Sequence, residues 1–172
     1  MEHYTHEIIE FVRAHESWAA PIAFLLALGE SLAFISLLLP ATVILFAIGG
    51  MLGASGIDFW NVWLAAGVGA ALGYALSYWI GLYFKDTIHL MWPFKTRPEM
   101  LQRGREFFDR WGALGVFMGH FFGPVRAVIP VIAGTLAMKQ LPFQLANVTS
   151  AFLWAAVVLA PAVFGGRLLG GS

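Results

Sequence analysis

One stretch constrains this chain more than any other. Residues 112–138 read GALGVFMGHFFGPVRAVIPVIAGTLAM, almost wholly apolar, with His120, Arg126, Pro124 and Pro130 near the middle. As one straight helix the stretch would reach about 40 Å, against a bilayer hydrocarbon core of about 30 Å. Each proline removes a backbone donor and crowds the preceding turn, and each biases the residue before it, Gly123 or Ile129, towards extended geometry. Arg126 sits between them. Broken backbone survives at membrane depth only where protein or a water-filled cavity satisfies it. A central arginine costs roughly 3 kcal/mol on the insertion scale. The surrounding apolar residues offset that cost without solvating the guanidinium, which still needs water, a carboxylate or a phosphate. The expected structure is a re-entrant hairpin that presents Arg126 to an internal cavity.

Composition supports a membrane setting. Of 172 residues, 59% are hydrophobic and 12% charged, about half the charge fraction of an ordinary soluble domain. This is the composition of a single-domain integral membrane protein. The net charge of zero indicates no nucleic-acid partner. The absence of cysteine excludes disulfides and thiolate chemistry. The first residues are acidic (Glu2, Glu7, Glu10, Glu16), which is unlike a cleaved signal peptide. No metal-ligand cluster is present, and no cofactor is expected.

In order, the chain divides as follows. Residues 1–18 suggest an interfacial helix, with Tyr4, Ile8, Phe11, His15 and Trp18 on one stripe; an ordinary packing helix fits equally well. Residues 19–56 carry Glu30 as their only charge before Asp58. They are too long for one span and slightly short for two, so a first hairpin is expected, bent near Pro40. Residues 60–84 form a transmembrane span. Its Ala65, Gly69, Gly73, Ser77 and Gly81 recur at every fourth position, a face that admits another backbone and could serve a homodimer as well as the fold. Residues 85–111 hold six of the ten basic residues. They suggest a second interfacial helix, opened by a Thr96–Glu99 capping box with Pro98 in the first turn, and the positive-inside rule puts them in the cytoplasm. Residues 112–138 are the second hairpin. Residues 141–166 are the last span, with Asn147, Ser150 and Trp154 near one face and Pro161 expected to kink or end it.

The two broken stretches resemble each other. Gly29-Glu30 precedes Pro40 by the same interval that separates Gly119-His120 from Pro130. Interrupted segments in corresponding halves point to a transporter site at a repeat interface. With one crossing per unit the second copy is inverted, and the two hairpins meet near the midplane. That would bring Glu30 towards His120 and Arg126. The fold class is therefore all-α integral membrane: two opposed re-entrant helical hairpins plus full transmembrane helices, with interfacial amphipathic helices.

These residues carry a resemblance. GES at 29–31, LLP at 38–40, GAALGY at 69–74 with Gly81, and GPVRAVIPVIAG at 123–134 resemble the DedA family, whose core is also called the VTT or SNARE-associated domain. Phe143, Asn147 and Trp154 fit the tail of the pattern. The resemblance implies transport or scrambling of lipids. Bacterial members of that family include translocases that return undecaprenyl phosphate to the cytoplasmic leaflet, and several members depend on the proton motive force. It implies Glu30 as the membrane acid and Arg126 as the membrane arginine. Three positions depart from the pattern: Thr42 and Tyr74 stand where many members have acids, and His120 where many have a second arginine. The site is thus reduced to Glu30, His120 and Arg126, with Thr42 as a further candidate. Histidine ordinarily changes charge near neutrality, so a titratable group is retained.

The expected function is translocation of an anionic lipid head group in a bacterial inner membrane by a multi-pass protein. Arg126 and His120 would hold the phosphate, Glu30 would couple, and proton or sodium would be the coupling ion. Pro40, Pro124, Pro130 and Gly134 would shape the hairpins. The protein is not expected to be an enzyme: a membrane lipid phosphatase would need arginine-rich and Ser-Gly-His signatures that are absent. A proton-coupled small-ion or drug antiporter is the alternative, supported by the lone Glu30.

Overall fold

The structure, a computed structural model, describes residues 16–32, 45–46, 49–50, 58–90, 92, 94–122, 126 and 128–170. Pro40, Thr42, Pro124 and most of the expected N-terminal helix lie outside the described residues. Within them all regular structure is helical. Five α-helices run in the order α1 (Glu16–Ser31), α2 (Phe59–Tyr83), α3 (Glu99–Gly119), α4 (Val128–Thr135) and α5 (Gln140–Gly170), with a 3-10 turn at Ile88–Leu90.

α2 is the central element and packs against α1, α4 and α5. Its small residues explain why. A Cβ on Gly69 would strike the Phe24 carbonyl, and one on Gly73 would meet the Leu28 carbonyl and Ser31. The Ser77 hydroxyl donates to the Ser31 carbonyl at 3.2 Å. These pairings rise together along both helices, so α1 runs parallel to α2. Towards the other end Gly81 packs on the Val131 carbonyl, and Gly134 packs on the Tyr78 carbonyl. α2 and α4 therefore cross through a reciprocal pair of glycines. The small-residue face is filled within the chain, and a homodimer would need another surface.

α5 runs antiparallel to α2. The Tyr78 hydroxyl donates to the Met138 carbonyl, Asn147 Nδ2 to the Ala71 carbonyl at 2.9 Å, and Trp63 Nε1 to the Phe152 carbonyl at 3.0 Å. The start of α5 thus lies beside the end of α2. α3 starts at that same end, where Met100, Leu101 and Phe108 pack against Ile88, Phe94 and Ile132. α4 packs on both α2 and α3.

Several local outcomes bear on the expectations. Ile129 is helical, because α4 begins at Val128 and Pro130 falls in the first turn, where no intrahelical donor is required. Of the two outcomes expected at Pro161, a kink or an end, the end does not occur: α5 runs on to Gly170. α3 begins at Glu99, with Pro98 rather than Thr96 in the cap position. In addition, α1 runs unbroken across residues 18 and 19, joining the end of the expected surface helix to the next segment.

Two helices, Phe59–Tyr83 and Gln140–Gly165 within α5, are long and apolar enough to cross a membrane. Their outward faces are apolar too: Leu64, Val68, Leu72 and Leu76 on α2, and Leu145, Val148, Leu153 and Val157 on α5, are exposed. A helix that is hydrophobic all round belongs in lipid or in a large core.

Candidate functional site

The polar residues of the interior converge where α1 and the α3–α4 turn meet, at the level of Tyr74 to Ser77. α1 supplies Glu30 one residue before its end. The residue after α3 is His120, and Arg126 lies in the turn before α4. Each is buried: Glu30 is 8% exposed, His120 1% and Arg126 3%. These exposures set Glu30 and Arg126 apart from the other charged side chains whose burial is described, all of which are exposed.

Arg126 Nη1 lies 3.5 Å from Glu30 Oε1. That is looser than a charge-assisted hydrogen bond, ordinarily about 2.7–2.9 Å. The guanidinium carbon sits 4.3 Å from the ring centroid of Trp154, a cation–π contact on its apolar side. Arg126 Nε and Nη2 are buried and meet no hydrogen-bond partner among the described residues. A guanidinium presents five donors in a planar fork, so most of its binding capacity here is unmet.

His120 is held by two contacts. Its ring stacks on Tyr74 with centroids 3.7 Å apart and planes at 22°, and its Nδ1 is 2.8 Å from Ser150 Oγ. Ser150 also reaches the Asn147 carbonyl at 3.1 Å. When the single hydroxyl proton goes to that carbonyl, His120 must donate from Nδ1, and Nε2 is left as a bare acceptor. His120 Nε2, Tyr74 Oη and Asn147 Oδ1 are all buried and without hydrogen-bond partners among the described residues. Unmet buried polar atoms are uncommon in native interiors. Five in one small region mark it as a polar site set in an apolar protein.

The residues predicted from sequence fall into two groups. Glu30, His120 and Arg126 are brought to one region, and Asn147, Ser150 and Trp154 turn inward from α5 as their spacing suggested. Pro130 opens α4, and Gly134 makes the helix crossing. Thr42, Pro40 and Pro124 lie outside the described residues. Sequence reasoning missed two contacts. Tyr74 stood out only as a departure from the family pattern, yet it stacks on His120, another of the three departures. Trp154 was noted as inward-facing but not as the platform beneath Arg126. Both lie on uniformly apolar spans, where an aromatic is ordinarily packing. Among the described residues no group of three or more His, Cys, Asp or Glu could hold a metal ion.

Ionisable side chains buried among apolar helices, two of them long enough to cross a bilayer, fit a membrane protein, and similarity to known proteins says which. A family model for the VTT domain matches residues 39–163, and the chain belongs to this DedA family. The inner membrane protein YabI of Escherichia coli strain K12 is 29% identical over 160 residues, covering 92% of this chain and 63% of the relative. An uncharacterized membrane protein of Buchnera aphidicola from Acyrthosiphon pisum is 31% identical over 137 residues, covering 80% and 54%. One from Synechocystis is 34% identical over 131 residues, covering 71% and 57%. The chain therefore spans less than two thirds of the length of these relatives. No solved structure matches it.

Proposed function

We propose that this protein carries an anionic lipid head group across the bilayer, with a polyprenyl phosphate or a phospholipid as substrate. The observation behind the proposal is Arg126, buried on a Trp154 platform, with two guanidinium nitrogens that meet no hydrogen-bond partner among the described residues and a loose ion pair to Glu30. Two oxygens of a tetrahedral phosphate can accept the parallel hydrogen bonds that such a planar fork donates. His120 and Tyr74 add polar atoms on the neighbouring wall. The lipid tail stays in the membrane and the cycle makes no covalent bond, so the protein acts as a transporter rather than an enzyme.

Glu30 gives the cycle its switch. A carboxylate that pairs with Arg126 competes with phosphate for it. Protonation of Glu30 would release the arginine to the substrate, and this is how a proton gradient would drive transport; sodium beside the carboxylate would act similarly. The fold supports alternating access. α1 enters from the Asp58 end of α2, and the apolar part of α3 from the opposite end. Glu30 and His120 occupy matching places at the tips of the two arms, as the Gly29–Pro40 and Gly119–Pro130 repeat suggests. We read these as two inverted re-entrant hairpins in a multi-pass bacterial inner-membrane protein, with the basic connection in the cytoplasm.

Leaflet exchange of a labelled polyprenyl phosphate in proteoliposomes tests the proposal, with and without a proton gradient. Arg126→Ala and Glu30→Gln would run beside the wild type. Exchange that requires Arg126 and responds to the gradient supports coupled transport. Exchange in the Arg126→Ala protein at the wild-type rate would sink the reading. Solute-dependent proton flux without lipid exchange would instead assign the site to small-solute antiport, which the buried Glu30 also suits.

A further inference from the structure

Away from the central site, one cavity gathers basic side chains. It has a volume of about 150 Å³ and lies between the end of α2 and the first half of α3. Lys85, His89 and Arg105 line it, over Ile88, Ile132 and Thr135. No carboxylate lines it. The side chains of Lys85, His89 and Arg105 make no ion pair or hydrogen bond among the described residues. The Thr135 hydroxyl is engaged by the Val131 carbonyl at 2.9 Å, so charge rather than hydroxyl donation dominates the pocket. Basic groups drawn together around one cavity repel each other unless an anion joins them.

The neighbouring residues set the depth of the cavity. Tyr83 is 81% exposed, Leu90 61% and Trp92 55%. Exposed aromatic and apolar side chains at the end of a membrane-spanning helix are the interfacial belt, which sits at head-group level. A basic pocket between helices at that depth is suited to the phosphate of an anionic lipid. Arg105 can offer its fork to two phosphate oxygens, and Lys85 acts as a point charge.

We propose that Lys85, His89 and Arg105 form a second anion site, which holds the head-group phosphate of an anionic bilayer lipid and ties the end of α2 to α3. The site does not depend on the translocation reading. It lies at the end of the bundle, apart from Arg126, and takes a resident lipid rather than a passing substrate. Its occupant pins the base of the α3–α4 hairpin to the head-group layer.

Native mass spectrometry of the detergent-purified chain tests this, with dioleoylphosphatidylglycerol, dioleoylphosphatidylcholine and inorganic phosphate as separate probes. Wild type is expected to retain phosphatidylglycerol over phosphatidylcholine. The Lys85→Gln/His89→Gln/Arg105→Gln variant should lose about tenfold in that retention, since each interfacial cation contributes severalfold. All three side chains are exposed, so the variant should keep its helical circular dichroism. Retention should persist in Arg126→Gln. Equal retention by the triple variant and the wild type would overturn the site. Loss in Arg126→Gln alone would also overturn it and give the lipid to the central site. Binding of inorganic phosphate with no preference for phosphatidylglycerol would overturn the lipid assignment in favour of free phosphate.

Discussion

At the scale of single residues, the site is built from a few side chains that each solve a desolvation problem. Arg126 needs a partner for every donor it buries, and Glu30 and Trp154 satisfy only part of it. Arg126→Lys keeps the charge but loses the fork, so lipid exchange is expected to fall about tenfold or more; leaflet-exchange kinetics would show it, and an unchanged rate would remove the bidentate contact. Ser150 fixes the orientation of His120 through its 2.8 Å contact. Ser150→Ala strands Nδ1 inside the protein and should cost about 1–3 kcal/mol, read as a lower unfolding midpoint in detergent. Glu30, His120 and Arg126 were legible in the sequence because an ionisable group in an apolar run is conspicuous. Tyr74 and Trp154 were not, because an aromatic in such a run looks like packing until its neighbours are known.

At the scale of elements, glycine governs how closely helices approach. Gly134 has no space for a side chain, since a Cβ would meet the Tyr78 carbonyl and Leu82 nitrogen. In the interior of α5, Gly165 has nothing within 4 Å of a Cβ. The two should respond oppositely to alanine. Gly134→Ala forces backbone apart and should lower stability by several kcal/mol, in the manner of overpacking, and Gly165→Ala should raise it by up to about 1 kcal/mol. Thermal unfolding of both variants checks the contrast, and equal effects would refute the α2–α4 crossing. Gly112 plays a different part. Its φ of 50° and ψ of −129° break α3 between its amphipathic and apolar portions, in a conformation that side chains disfavour. The small-residue period of α2 was plain in the sequence, but which helices fill that face was not. The α-helical state of Ile129 was also hidden, because a proline reads as a breaker until the start of its helix is known.

At the scale of the whole molecule, the arrangement predicts topology. Asp58, Lys85 and Lys139 are exposed and the chain has no cysteine, so single cysteines at these places report sidedness without background. On the proposed reading, in which α2 crosses the bilayer and the segment from α3 to α4 re-enters from its own side, Lys85→Cys and Lys139→Cys should react with an impermeant maleimide from the same face. Asp58→Cys should react from the other. Labelling of position 139 from the side of position 58 would mean a full crossing between α3 and α5, and would end the re-entrant reading. The antiparallel register of α2 and α5, fixed by the Tyr78, Asn147 and Trp63 bonds, is the physical basis for expecting the first result.

The sequence by itself determined the membrane setting, the all-helical class, the family and the three ionisable residues of the interior. Those follow from composition, periodicity and local motifs, which depend on near neighbours in the chain. Tertiary structure alone decided the partners: Glu30 with Arg126, Tyr74 with His120, Trp154 beneath the guanidinium, and Lys85 and His89 beside Arg105. Such contacts join residues far apart in the chain. They depend on how closely glycine lets the helices pack and at what level the arms meet, and no local pattern encodes that.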